Sequence, residues 1–159
     1  MVSLNCETIV TLTRGLLEPM VRAGRGGVIN VASISAFQPV SYMATYGATK
    51  AFVVSFTLAL ARELRGTNVR AMALCPGPVR TGFQQAAGIS RPGVRLAELT
   101  ARQTVERGLA AYERGEELYI PGLVNRLQVT ASKVLPRRLI GWASAQAMRR
   151  LGRTGDNRS

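Results

Sequence analysis

Apolar residues recur along this chain in two rhythms that alternate. From Asn5 to about Ala23, residues Ile9, Leu12, Leu16, Leu17 and Met20 fall at helical spacing, and Gly24-Arg25-Gly26-Gly27 closes the run. Val28-Ile29-Asn30-Val31-Ala32-Ser33 then reads as a short strand of the buried kind. A loop over 35–44 leads into a long helix from Thr45 to Arg65, with Phe52, Phe56, Leu60 and Leu64 on one stripe. Val69 to Cys75 is the next strand, broken by Pro76-Gly77-Pro78. Residues 80–95 read as irregular, Leu96 to Arg114 as helical, and Leu118-Tyr119-Ile120 as a last strand before Pro121-Gly122. Leu123 to Leu151 reads as short helices interrupted at Pro136. Helices alternating with strands in this way imply parallel strands joined by right-handed crossovers. The expected fold is therefore α/β, a partial doubly wound sheet of about three parallel strands with flanking helices and a helical C-terminal tail.

Within that frame one pair of side chains suggests chemistry. Tyr46 and Lys50 stand four residues apart in Tyr46-Gly47-Ala48-Thr49-Lys50, so on a helix the phenol and the ammonium share a face. A free tyrosine ionises near pH 10, and a fixed cation beside it favours the phenolate. Bringing the phenol near neutrality would take about 4 kcal/mol of differential stabilisation. Ser33, thirteen residues before Tyr46, would supply a hydroxyl to a reacting oxygen. Taken alone, Tyr46 and Lys50 read first as a half-buried helix residue and a solvated charge.

Composition narrows the field. At 159 residues and 47% hydrophobic, the chain is long enough to bury a core as one domain or part of one. It contains no histidine, which excludes Ser-His-Asp, Cys-His and histidine-metal chemistry. Cys6 and Cys75 have neither metal-ligand spacing nor disulfide density and read as small buried apolar residues. With no secretory signal in the sequence, a cytoplasmic setting is the expectation. The net charge of +12 invites a nucleic-acid reading, but its arginines scatter along the chain without a recognisable binding module. The exception is the end, where Arg137, Arg138, Arg149, Arg150, Arg153 and Arg158 face only Asp156. That cluster is a solvated helix face, or a basic amphipathic surface for a membrane built on Val134 to Leu151 with Trp142. No stretch reads as long and apolar enough to span a bilayer.

Four features in order resemble the short-chain dehydrogenase/reductase family. They are Asn5 in Val2-Ser3-Leu4-Asn5, the strand ending in Ala32-Ser33, the Tyr46/Lys50 pair, and Cys75-Pro76-Gly77-Pro78-Val79-Arg80-Thr81, similar to the family's Pro-Gly-x-Val-x-Thr segment. The resemblance runs from Met1 to about Thr81 and more loosely to Asn125, dividing the chain into a catalytic Rossmann-type part, 1–125, and a basic helical extension, 126–159. It implies an NAD(P)-dependent oxidoreductase that reduces a carbonyl or oxidises a secondary alcohol. In that setting Tyr46 exchanges the proton, Lys50 lowers the phenol pKa and holds the cofactor ribose, and Ser33 hydrogen-bonds the substrate oxygen. Ser35, eleven residues before Tyr46, is ranked as a substrate-loop residue. Asn5 would kink its helix and anchor a proton-relaying water, with an N-terminal helix cap as the alternative. Pro76, Gly77, Val79 and Thr81 would join Tyr46 and Lys50 in holding the cofactor, NAD or NADP.

The family's glycine-rich turn, Thr-Gly-x-x-x-Gly-x-Gly, is not found in this chain, nor is its Asn-Asn-Ala-Gly segment. By comparison with the family roughly the first hundred residues are absent, including the position that selects NAD or NADP. The expectation is a truncated oxidoreductase inactive by itself, the alternative being a catalytically dead fragment serving as an association or membrane-surface module. The strand from Gly27 to Ser33 would then lie at an open sheet edge and favour self-association. Phe37, Pro39, Val40, Met43 and Phe83 suggest an apolar pocket wall for a small lipophilic carbonyl or alcohol, and the segment around Phe83 and Ile89 suits a lid. The Thr45–Arg65 helix is a candidate homo-oligomer surface.

Overall fold

The computed structural model describes residues 1–80 and 99–150. The chain opens in a helix whose first turn is π-helical over Ser3–Glu7, continuing as α1 (Thr8–Arg22). Strand β1 (Gly26–Val31), a short 3-10 turn (Ile34–Phe37), helix α2 (Ala44–Glu63) and strand β2 (Val69–Leu74) follow. Two-residue strands β3 (Val79–Arg80) and β4 (Leu99–Thr100) pair in parallel, and Thr100 leads directly into helix α3 (Ala101–Glu113). Strand β5 (Leu118–Tyr119) and helices α4 (Leu123–Val134) and α5 (Arg137–Arg150) complete the described chain.

Strands β1, β2 and β5 form a parallel sheet in that order, with Gly26 opposite Val69 and Val31 opposite Leu74. The expected three-strand core is therefore present, and the β3–β4 ladder is an addition to it. Strand β2 lies between two layers of helix, and its side chains divide by parity. Val69 and Ala71 pack with Leu17, Ala61 and Leu64, and Ala73 and Cys75 with Val53 and Val54, all on the face covered by α1 and α2. Met72 and Leu74 point the other way, onto Ala111 and Tyr119. A strand buried on both sides needs apolar residues at nearly every position, which explains the run Val69 to Cys75. β1 is an edge strand of this sheet, with Val31 exposed.

One boundary and one other expectation differ from the sequence pattern. The helix expected from Leu96 begins at Ala101, because Thr100 and Gln103 close a reciprocal capping box at 3.1 and 3.0 Å. The helix α2 is also long and apolar enough, by length and composition, to cross a membrane, contrary to the reading that no stretch is. Its apolar character has a local use, since Val53, Val54, Thr57 and Ala61 are buried against the sheet. Pro136 separates α4 from α5, as expected of a residue that cannot continue a helix.

Candidate active site

The carboxyl ends of the parallel strands gather most of the residues singled out from the sequence, the position where open α/β sheets bind ligands. Ser33 lies two residues beyond β1, and its extended backbone (φ −167°, ψ 158°) caps the 3-10 turn. Its hydroxyl oxygen accepts the Ser35 N–H at 3.1 Å. A serine hydroxyl that accepts one bond still has its own hydrogen to donate, so Ser33 can present that hydrogen to a partner oxygen. Ser35 thus supports Ser33 through its backbone.

Tyr46 and Lys50 occupy successive turns of α2, with the Lys50 ammonium 5.8 Å from the centre of the Tyr46 ring. Lys50 Nζ also donates to the Val31 carbonyl at 2.9 Å, which draws the side chain to the end of β1, two residues before Ser33. Burial pulls the Lys50 pKa below the ordinary lysine value. Cys75 lies beneath the same corner. Burial pushes its thiol up to about 12, against a backbone hydrogen bond from Ser33 and the charge of Lys50. It is therefore a neutral, inert packing group at physiological pH, in keeping with the sequence reading.

Asn5 sits inside the π-helical turn, where the Thr8 N–H reaches back to the Ser3 carbonyl. This excludes the helix-cap alternative. The Asn5 amide donates to Thr49 Oγ1 at 3.0 Å, and Thr49 in turn donates to the Tyr46 carbonyl at 2.9 Å. A π turn widens a helix by one residue and is frequent at functional sites. Here it puts Asn5 in register with the stretch of α2 that carries Tyr46 and Lys50.

The Pro76-Gly77-Pro78 turn leaves the end of β2 beside this cluster, and the Pro76 carbonyl accepts the Ile34 N–H at 3.0 Å. Val79 follows in β3, opposite Leu99. A residue not anticipated from the sequence packs under this turn. Asn125, buried in the first turn of α4, has its amide where a Cβ on Gly77 would stand, with Nδ2 within 2.6 Å of that point. Only glycine fits there. Asn125 Nδ2 donates to the Pro121 carbonyl at 2.7 Å, and among the described residues no partner reaches its buried Oδ1. The sequence signal was the polar residue itself, following Pro121-Gly122 at the end of a strand.

The loop before Tyr46 is held by the C-terminal helices. The Ser41 N–H donates to Ser144 Oγ at 3.0 Å and the Ser41 hydroxyl to the Gly141 carbonyl at 3.2 Å. Arg149 donates to the Tyr42 hydroxyl at 3.0 Å, and Tyr42 has a left-handed backbone, φ 61°. Phe37, Pro39, Val40 and Met43 belong to this region, whereas Thr81, Phe83 and Ile89 lie outside the described residues. A cavity of about 190 Å³ lies at the opposite end of the strands, lined by residues including Arg65, Arg70 and Glu117, and is remote from this cluster. Among the described residues no group of side chains could hold a metal ion.

Comparison with known proteins gives the family and the fold. Residues 1–91 match the family model described as short chain dehydrogenase. The ketoacyl reductase HetN of Nostoc sp. is 29% identical over 150 residues, which cover 94% of this chain and 51% of that protein. The NADP-dependent 3-hydroxy acid dehydrogenase YdfG of Salmonella typhi is 40% identical over 79 residues, covering 50% and 32%. A solved 7β-hydroxysteroid dehydrogenase superposes with a TM-score of 0.77 at 25% identity, covering 91% of this chain and 57% of its own. The chain spans from a third to about half the length of the curated relatives it matches.

Proposed function

Because this chain belongs to the short-chain dehydrogenase family, we propose that it is the catalytic part of an NAD(P)-dependent oxidoreductase acting on a ketone, aldehyde or secondary alcohol. The observation that carries this reading is the convergence at one sheet corner. Lys50 lies 5.8 Å from the Tyr46 ring and is bonded to the strand that delivers Ser33. The nicotinamide cofactor, when bound, supplies or accepts the hydride. Tyr46 gives its phenolic proton to the carbonyl oxygen during reduction and takes it back during oxidation. Lys50 would hold ribose hydroxyls, and Ser33 would donate to the oxygen on which negative charge develops. Asn5, through Thr49 and its own widened turn, keeps that stretch of α2 in place and anchors the proton relay. Pro76, Gly77 and Val79 would hold the nicotinamide end of the cofactor through their backbone, and Thr81, which lies outside the described residues, is assigned to the same segment by the family resemblance.

Residues 1–125 would carry this chemistry and 126–159 the basic extension. The apolar residues near Tyr46 favour a small lipophilic substrate, and a cytoplasmic setting fits this class of chemistry. Self-association would use α2, on which Phe52 is partly exposed and stacks on Phe56 with ring centres 6.0 Å apart.

The test is turnover of a reporter ketone with NADPH and with NADH, using this chain alone and with the amino-terminal half of a relative added in trans. Tyr46→Phe should cost on the order of a thousandfold in kcat while leaving cofactor binding nearly unchanged. Ser33→Ala should cost about a hundredfold. Near-normal turnover in Tyr46→Phe would remove the assignment.

A further inference from the structure

The last two helices turn apolar side chains away from the protein. On α4 the inward side is Asn125, Val129 and Ser132, of which Asn125 and Val129 are buried, while the Ser132 hydroxyl donates to the Val129 carbonyl at 2.8 Å and lies 3.5 Å from the Phe37 carbonyl. Leu123, Leu127 and Val134, at i, i+4 and i+11, lie on the opposite side. On α5, Ile140 and Met148 are buried and Ser144 bonds the loop at Ser41, so that Leu139 and Trp142 face outward. These five outward residues are 57% to 82% exposed. An apolar stripe on the solvent side of a helix that already has an inward face is not explained by the core.

The charge around the stripe has one sign. From Leu118 to Arg150 the sequence contains six basic residues and no acidic one. Arg126 lies 5.1 Å over the Tyr119 ring and Lys133 5.7 Å over the Phe37 ring, which fixes positive charge along one flank of α4. Among the described side chains, none of the ion pairs involves these two helices.

We propose that α4 and α5 form a docking surface for an anionic lipid bilayer, with Leu123, Leu127, Val134, Leu139 and Trp142 entering the headgroup boundary and the basic residues meeting the lipid phosphates. Exposed aliphatic side chains and a tryptophan beside cations that, among the described side chains, enter no ion pair are what such a surface recognises. A nucleic acid would use the cations and leave the stripe in water. A second copy would bring its own basic flank against this one, with no acidic residue to meet it. The inference is independent of the oxidoreductase reading, since none of these residues has a part in that chemistry.

Trp142 is the only tryptophan, so its emission reports the surface directly. With vesicles rich in phosphatidylglycerol, the chain should co-sediment and Trp142 emission should shift to the blue; pure phosphatidylcholine should produce neither change. Raising the salt should weaken binding. Leu127→Glu should reduce partitioning by about tenfold or more. Lys133→Gln combined with Arg138→Gln should do the same through charge alone. Circular dichroism of each variant, all at exposed sites, separates lost binding from lost folding. Unchanged emission with anionic vesicles overturns the proposal, as does equal binding to neutral ones. A self-associated species that Leu127→Glu disperses and vesicles do not compete away would assign the face to a second copy. Salt-sensitive binding to duplex DNA that vesicles cannot displace would also overturn it.

Discussion

The two ends of the parallel strands are built on different principles. At the carboxyl ends, polar groups of Asn5, Ser33, Tyr46, Thr49, Lys50 and Asn125 converge, several linked by hydrogen bonds of 2.7 to 3.1 Å. At the amino ends, the backbone is close-packed and the charges remain at the surface. Gly27 lies so near Tyr112 and the Arg70 carbonyl that any side chain would overlap both. Tyr112 donates to the Gly26 carbonyl at 3.3 Å, and Arg62 and Arg65 each meet Glu117 at 3.2 Å. The amino end therefore fixes the sheet, while the carboxyl end gathers its polar groups at the proposed site. Substitutions at the first should move stability and leave chemistry alone; those at the second should do the reverse, unless they touch the glycine turn.

The largest stability effect should come from Gly27→Ala, because the Arg70 carbonyl belongs to the neighbouring strand and cannot yield. A loss of about 3 kcal/mol in urea unfolding is expected. A variant as stable as the parent would show that the amino end is looser than its packing implies. Gly77→Ala, on the site side, should cost about 2 kcal/mol by meeting the Asn125 amide. Combining it with Asn125→Ala should recover part of that loss, and additive losses in the double-mutant cycle would break the contact between turn and helix. Glu117→Gln removes partly exposed ion pairs and should change stability by at most about 1 kcal/mol. The effect that is smallest at neutral pH concerns Cys75. Its folded pKa lies near 12 against 9.0 for a free thiol, so the thiol contributes full stability below pH 9 and loses it as pH rises toward 12. Alkylation at pH 9 should therefore modify Cys6 well before Cys75; equal rates would deny the burial.

Much of this fold was legible because its signals are local. The run Val69 to Cys75 and the spacing of Tyr46 and Lys50 are fixed by helix and strand periods, so α2 and β2 fall within two residues of their expected limits. The start of α3 was missed although Thr100-Ala101-Arg102-Gln103 spells a capping box, because apolar residues upstream of it extended the helical pattern. The π turn at Asn5 and the seat of Asn125 beneath Gly77 had no such signal. Both depend on which helix lies across from them, a property of the tertiary arrangement. For the same reason the candidate residues Ser33, Tyr46 and Lys50 could be named from spacing only together with the family resemblance, and the bond from Lys50 to Val31 could not be named at all.

That bond also has an entropic side. A lysine side chain in solution samples many rotamers, and ordering it costs about 2 kcal/mol. Lys50 is anchored at both ends, by its helix and by the carbonyl of the sheet edge, so its methylene stem is a strut with that freedom already surrendered during folding. An ammonium has three hydrogens, and one is committed to Val31. The other two are directed by the strut, so an acceptor arriving at this corner meets donors that need no further ordering.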